Sequence, residues 1–138
     1  MRITARVAYA SLAVFELALQ PPSDRVQAKH IAEKRQIPLK FLEQILIQLK
    51  NSGIVKSIRG ASGGYLLAKS ADDITLKDIV DAVEGGVRML ESELEGDPTL
   101  SNVWAEIEQE FLDRLDSITI QSLVTRSFRE NQILSFEI

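Results

Sequence analysis

Four side chains between Pro38 and Gly53 have the chemistry needed to read the edges of DNA bases. At about 100° per residue, Glu43, Gln44 and Ile47 fall within roughly 60° of Lys40 on one helical face. Leu39, Leu42, Ile45, Leu46 and Leu49 line the opposite face. Lysine can donate to guanine O6 and N7, glutamine can pair both ways with adenine, glutamate can accept from cytosine N4, and isoleucine can meet a thymine methyl. A solvated helix has much the same composition, so the neighbouring segment decides.

That neighbour, SIRGASGGYLLAK (residues 57–69), places three glycines and two small residues between two strand-like runs. Residues 54–59 and 64–69 are expected to pair as an antiparallel hairpin with 60–63 at its tip. A tip entering a minor groove about 6 Å wide must present backbone without bulk, which suits Gly60, Ser62 and Gly63. Arg59 at its base supplies the charge that a narrow groove attracts. A phosphate-cradling loop of a nucleotide enzyme is the competing reading, and it is disfavoured because no Gly-Lys-Ser/Thr follows and the next run is strand-like rather than a helix start.

Three helices are expected to hold these parts in place. The first carries Ala5, Ala8, Leu12, Phe15 and Leu19 on one face and ends at Pro21-Pro22. A short amphipathic helix spans 26–35, and the base-reading helix follows a tight break, with Gly53 closing it. Helix, helix, turn, helix and hairpin is the order of a winged helix-turn-helix, mainly α with a two-stranded wing. Phosphate contacts would come from Arg2, Thr4 and Tyr9 on the first helix and from Lys29 and Lys56. His30, the one histidine, is expected to pack at the second helix rather than bind metal.

After the wing, Thr75 and Asp78 cap a fourth helix that ends at Gly85-Gly86, and a polar, acidic connection runs over 85–98. A long C-terminal helix then repeats Leu100, Trp104, Ile107, Phe111, Leu115 and Ile118 at spacings of three and four. Nothing local remains to cover that stripe, which predicts a homodimer through this dimerisation helix. TIQSLVTRSF reads as one more short helix, and the tail after it is unassigned. The organisation expected is a DNA-binding region over 1–70, a linking helix and acidic loop over 71–98, and a dimerisation segment over 99–138.

Charge divides the chain in the same place. Residues 1–70 hold 11 Lys and Arg against 4 Asp and Glu, net +7; residues 71–138 hold 5 against 16, net −11, leaving the whole at −4. A nucleic-acid surface therefore belongs in the first half. With no cysteine, disulfides, thiolate zinc sites and cysteine nucleophiles are excluded, and no histidine pair or nucleophile-and-base set suggests an enzyme. No targeting sequence or apolar run of membrane-spanning length is present, which predicts a cytoplasmic protein without a membrane partner.

LKFLEQILIQLKNSGIVKSIRGASGGYLLAK followed by ITLKDIVDAVEG resembles the IscR-like (Rrf-two) family of bacterial winged-helix transcription regulators. The opening MRITARVAYA, the isolated Trp104 and the late SITIQSLV fit the same family. The resemblance implies a homodimer with crossed antiparallel long helices, recognition helices in major grooves of double-stranded DNA and wings in the adjacent minor grooves. It makes Glu43 and Gln44 major-groove contacts and Arg59 the minor-groove side chain, with Lys40 and Phe41 bearing on site preference. A sequence-specific regulator of this kind, acting as a repressor on a palindromic operator, is the expected function; a winged helix that binds protein without DNA is the alternative. Cluster-binding members carry three cysteines before the long helix, where this chain has Glu91, Glu93, Glu95 and Asp97. Carboxylates do not replace thiolates at an iron-sulfur cluster, so no cofactor is expected, and the effector is unspecified.

Overall fold

Thr4 starts the first helix by accepting a hydrogen bond from the Val7 amide at 3.2 Å. The computed structural model describes residues 3–88 and 92–137, with backbone alone at 92 and 134–137. Helix α1 (Ala5–Leu19) stops where Gln20 turns extended before the two prolines. The buried face of α1 is Ala10, Ala13, Val14 and Leu17, whereas Ala5 and Ala8 are exposed and Leu12, Phe15 and Leu19 half-buried. The expected face is therefore the wrong one. This helix is apolar nearly all the way round, and periodicity cannot choose a side when both sides are hydrophobic.

Helix α2 (Ala28–Arg35) is shorter than expected at its start. Val26 lies outside it and bridges to Tyr65, exchanging backbone hydrogen bonds of 3.0 and 2.8 Å. The helix ends on Gln36, the one described non-glycine residue in the left-handed region, and Ile37 tucks into the core behind it. Helix α3 (Leu39–Asn51) follows at once. Leu42, Ile45, Leu46 and Leu49 are wholly buried, but Leu39, one turn too early to reach the core, is exposed. At its other end the Gly53 amide bonds to Lys50 and the Ile54 amide to Leu49, each at 3.0 Å. Gly53 sits at φ +77°. This Schellman closure delivers Ile54 and Val55 straight into the core and the chain into the wing.

The wing pairs β1 (Val55–Ile58) with β2 (Gly64–Leu67) antiparallel, Val55 opposite Leu67 and Ile58 opposite Gly64. The Val26 bridge adds a third edge. Helix α4 (Leu76–Glu84) opens on the capping box, with Thr75 N–H on Asp78 at 3.0 Å and Asp78 N–H on Thr75 at 3.2 Å. Gly85, left-handed at φ +73°, ends it.

Helix α5 (Pro98–Asp116) is capped by Asp97, which accepts from the Leu100 amide at 3.0 Å. The chain then returns to its starting point. The Leu76 amide bonds to the Ile118 carbonyl at 3.0 Å, and the Ile120 amide to the Ile74 carbonyl at 2.8 Å. From this clasp a single helix, α6 (Ile120–Glu137), takes in the expected short helix from its second residue and runs on through the unassigned tail as far as Glu137, packing along α1. The core accordingly draws Ile74, Ile79, Val83 and Ile120 together with Val14, Ile31, Leu46 and Ile54.

Among the described residues one charge lies within this core. Glu16 is wholly buried, and its Oε2 accepts two hydrogen bonds from Arg35, at 3.1 and 3.2 Å. The Lys34 ammonium stands 2.5 Å from Oε1 without hydrogen-bond alignment, so that oxygen is matched by charge alone. Arg35 also covers the Phe15 ring, 5.5 Å from its centroid. The α1–α2 pair is thus fastened by one carboxylate and two cations.

Candidate nucleic-acid interface

With the leucines of α3 facing inward, its first three turns present Lys40, Glu43, Gln44 and Ile47 to solvent. Ile47 is 55% exposed, an apolar side chain of that size left outside an otherwise satisfied helix. Phe41 does not share this face. It is half-buried, meets Tyr9 of α1 edge-on at 5.6 Å between centroids, and carries the Arg6 guanidinium 5.8 Å above its ring. Tyr9 is therefore partly taken up by packing.

Arg59 leaves the end of β1 exposed, and among the described residues it makes no hydrogen bond or ion pair. The tip that follows is shaped by its own backbone. Gly60 takes φ +113°, and the Gly63 amide closes the turn on its carbonyl at 2.9 Å. A Cβ on Gly63 would run into the Ile58 carbonyl, and one on Gly64 would lie 2.8 Å from Val26. These two glycines are required by the internal geometry of the wing, whatever it approaches. Ser62 is exposed, and its carbonyl accepts from Arg25 at 3.3 Å, tying the tip to the segment before α2.

Lys29 and Lys56 are exposed, as expected of phosphate contacts. His30 is exposed as well, which corrects the expectation that it packs: it borders an open groove of about 700 Å³ with Gln20, Arg25, Gln27 and Ser62. Being on the outward side of a two-turn helix, it has no core to enter. Thr4 caps α1 and also donates its hydroxyl to the Glu84 carboxylate at 2.6 Å. Arg2 lies outside the described residues. Arg6 and Arg25 escape a reading by sequence because neither belongs to an apolar period or a recognisable turn; only the tertiary fold brings them beside α3 and the wing.

On α5, Leu100, Trp104, Ile107 and Phe111 are 40–50% exposed, and Val103 joins them. Leu115 is half-buried, and Ile118 lies beyond the end of the helix, in the clasp with Leu76. The exposed stripe is therefore shorter at its C-terminal end than periodicity predicts. Phe128 and Ile133 of α6 are exposed as well. Of the acidic connection, Glu91 lies outside the described residues, Glu93 and Glu95 are exposed, and Asp97 is committed to capping. Among the described residues no three His, Cys, Asp or Glu side chains gather as metal ligands, and no helix is long and apolar enough to cross a membrane.

A sequence profile of the Rrf2 family, described as iron-dependent transcriptional regulators, matches residues 3–126. The donor set does not fit the iron chemistry of thiolate-held clusters, because the chain has no cysteine. The transcriptional regulator CymR of Bacillus subtilis is 33% identical over the full length of both chains. The IscR regulator of Pectobacterium atrosepticum is 35% identical over 90% of this chain and 79% of its own. The solved structure of CymR from B. subtilis, the global cysteine regulator of that organism, superposes with a TM-score of 0.79 at 34% identity, covering 91% of this chain and 98% of that one. Sequence profile, relatives and winged-helix architecture agree: the chain belongs to the Rrf2 family of DNA-binding transcription regulators.

Proposed function

We propose that the regulator acts as a homodimer on a two-fold related pair of half-sites, with α3 in a major groove and the wing in the neighbouring minor groove of each. The observation that carries this reading is the outward face of α3: Lys40, Glu43, Gln44 and Ile47 stand exposed and adjacent, with a hydrophobic member that water does not favour. A second copy covers the α5 stripe, and two-fold symmetry in the protein then imposes palindromy on the operator. Repression by occupying a promoter in the cytoplasm is the simplest output. The input signal is one that needs no thiolate-ligated cluster.

Selection of bound fragments from random DNA tests the reading, with wild type beside Glu43→Ala and Arg59→Ala. Wild type should return an inverted repeat. Glu43→Ala should relax base preference within each half, and Arg59→Ala should weaken binding most where A·T runs narrow the minor groove. A direct-repeat or featureless consensus from wild type would refute the docking. Run-off transcription from a promoter overlapping the selected site should fall as protein is added; a rise would make it an activator.

A further inference from the structure

Among the described residues two arginines lie over phenylalanine rings, and they differ in one respect. Arg35 covers Phe15 and spends its donors on the buried Glu16 carboxylate. Arg6 covers Phe41, and among the described residues no carboxylate or carbonyl takes its donors. A ring 5.8 Å from the Arg6 guanidinium carbon attracts its charge but is no conventional hydrogen-bond acceptor, which leaves the N–H donors free for the paired hydrogen bonds that match a phosphate. Phe41 falls about 100° round α3 from Lys40, between the exposed reading face and the buried leucines. Its ring is turned toward α1, where the Tyr9 edge fixes it. Arg6 therefore stands along one margin of the reading face, held but unneutralised.

We infer that Arg6 is a phosphate contact for the DNA strand flanking the major groove, and that Phe41 is the positioning residue that holds it there. This gives Phe41 a role distinct from choosing bases. The inference rests on α3 entering the groove.

The test measures affinity for a short mixed-sequence DNA duplex across a series of KCl concentrations, with oligomer mass and melting temperature checked for each variant. Arg6→Ala should weaken binding about ten-fold per protomer and reduce the steepness of the log–log salt dependence of the dimer by about 1.8, one phosphate in each half-site. Phe41→Leu should cost about two- to five-fold, Phe41→Tyr should restore wild-type binding, and Phe41→Leu should add nothing once Arg6 is alanine. Selection with Phe41→Leu should return the wild-type consensus. Wild-type affinity and salt slope in Arg6→Ala would overturn the inference, as would an altered consensus in Phe41→Leu or full additivity in the double variant. A Phe41→Leu chain that fails to fold leaves the Arg6→Ala comparison decisive. A flat salt response in wild type is a different failure, that of the docking itself.

Discussion

Replacing Arg35 by alanine should destabilise the fold out of proportion to the exposure of the residue. Glu16 has no contact with solvent, and Arg35 supplies both hydrogen bonds to its Oε2. Removing one partner of a buried ion pair costs about 3–5 kcal/mol, because a desolvated charge is stranded. Two features reduce that here: the Arg35 side chain is 23% exposed, and Lys34 still faces Oε1. The expected loss is about 2 kcal/mol, roughly a thirty-fold shift in the folding equilibrium. Urea unfolding followed by circular dichroism, at one fixed protein concentration, should show a lower midpoint with an unchanged slope. Glu16→Met with Arg35→Met should be far less damaging than Arg35→Ala, since the double variant buries no charge. A loss below about 0.5 kcal/mol for Arg35→Ala, or a double variant as unstable as the sum of its parts, would refute the stranded-charge account.

Gly64→Ala should cost about 1–3 kcal/mol, because its Cβ would lie 2.8 Å from the Val26 backbone; a wild-type melting temperature would show that the Val26 bridge is slack. Trp104→Glu should give the mass of a monomer in analytical ultracentrifugation and weaken operator binding by orders of magnitude, through loss of bivalency; a stable dimer would move the interface off α5. Glu84→Gln should tighten DNA binding about two- to five-fold, by removing a carboxylate from the Thr4 hydroxyl at the start of α1; weaker binding would mean that Thr4 needs this partner in order to dock. On α4, Lys77 donates to Asp81 at 2.8 Å, and that bond and the Asp81 charge raise its pKa above 10.5. The folded state favours the protonated amine, so its contribution is fully present below 10.5 and disappears as pH climbs through the raised value. The difference in urea midpoint between wild type and Lys77→Met should hold through neutral pH and close only in strong alkali; closure near neutrality would contradict it.

Features set by local chemistry were legible in the sequence. The Thr75–Asp78 box, the glycine at 53, the leucine face of α3 and the turn-strand pattern of the wing each depend on residues within a few positions of one another. What escaped depends on distant partners. Val26 has the composition of a helix start, and only Tyr65, 39 positions on, makes it a strand edge. Helix α1 could not declare its buried side until α3, α4 and α6 were packed against it. Glu16 looks like an ordinary solvent-facing charge until Lys34 and Arg35 arrive at the same place. The candidate site divides in the same way. The reading face and Arg59 follow from periodicity and position, whereas the Arg6–Phe41 pairing is a contact between helices for which no spacing rule exists.

The paired bonds between Leu76 and Ile118 and between Ile74 and Ile120 bring the end of α5 back to the start of α4, and α4 itself is seated in the core through Ile79 and Val83, so both ends of the connection over 85–97 are held. A tether whose ends are already fixed tolerates changes in length cheaply, each doubling costing about 0.6 kcal/mol. A change of length between Gly85 and Asp97 therefore costs little in folding, and that stretch can vary while the α3 face and the wing stay as they are.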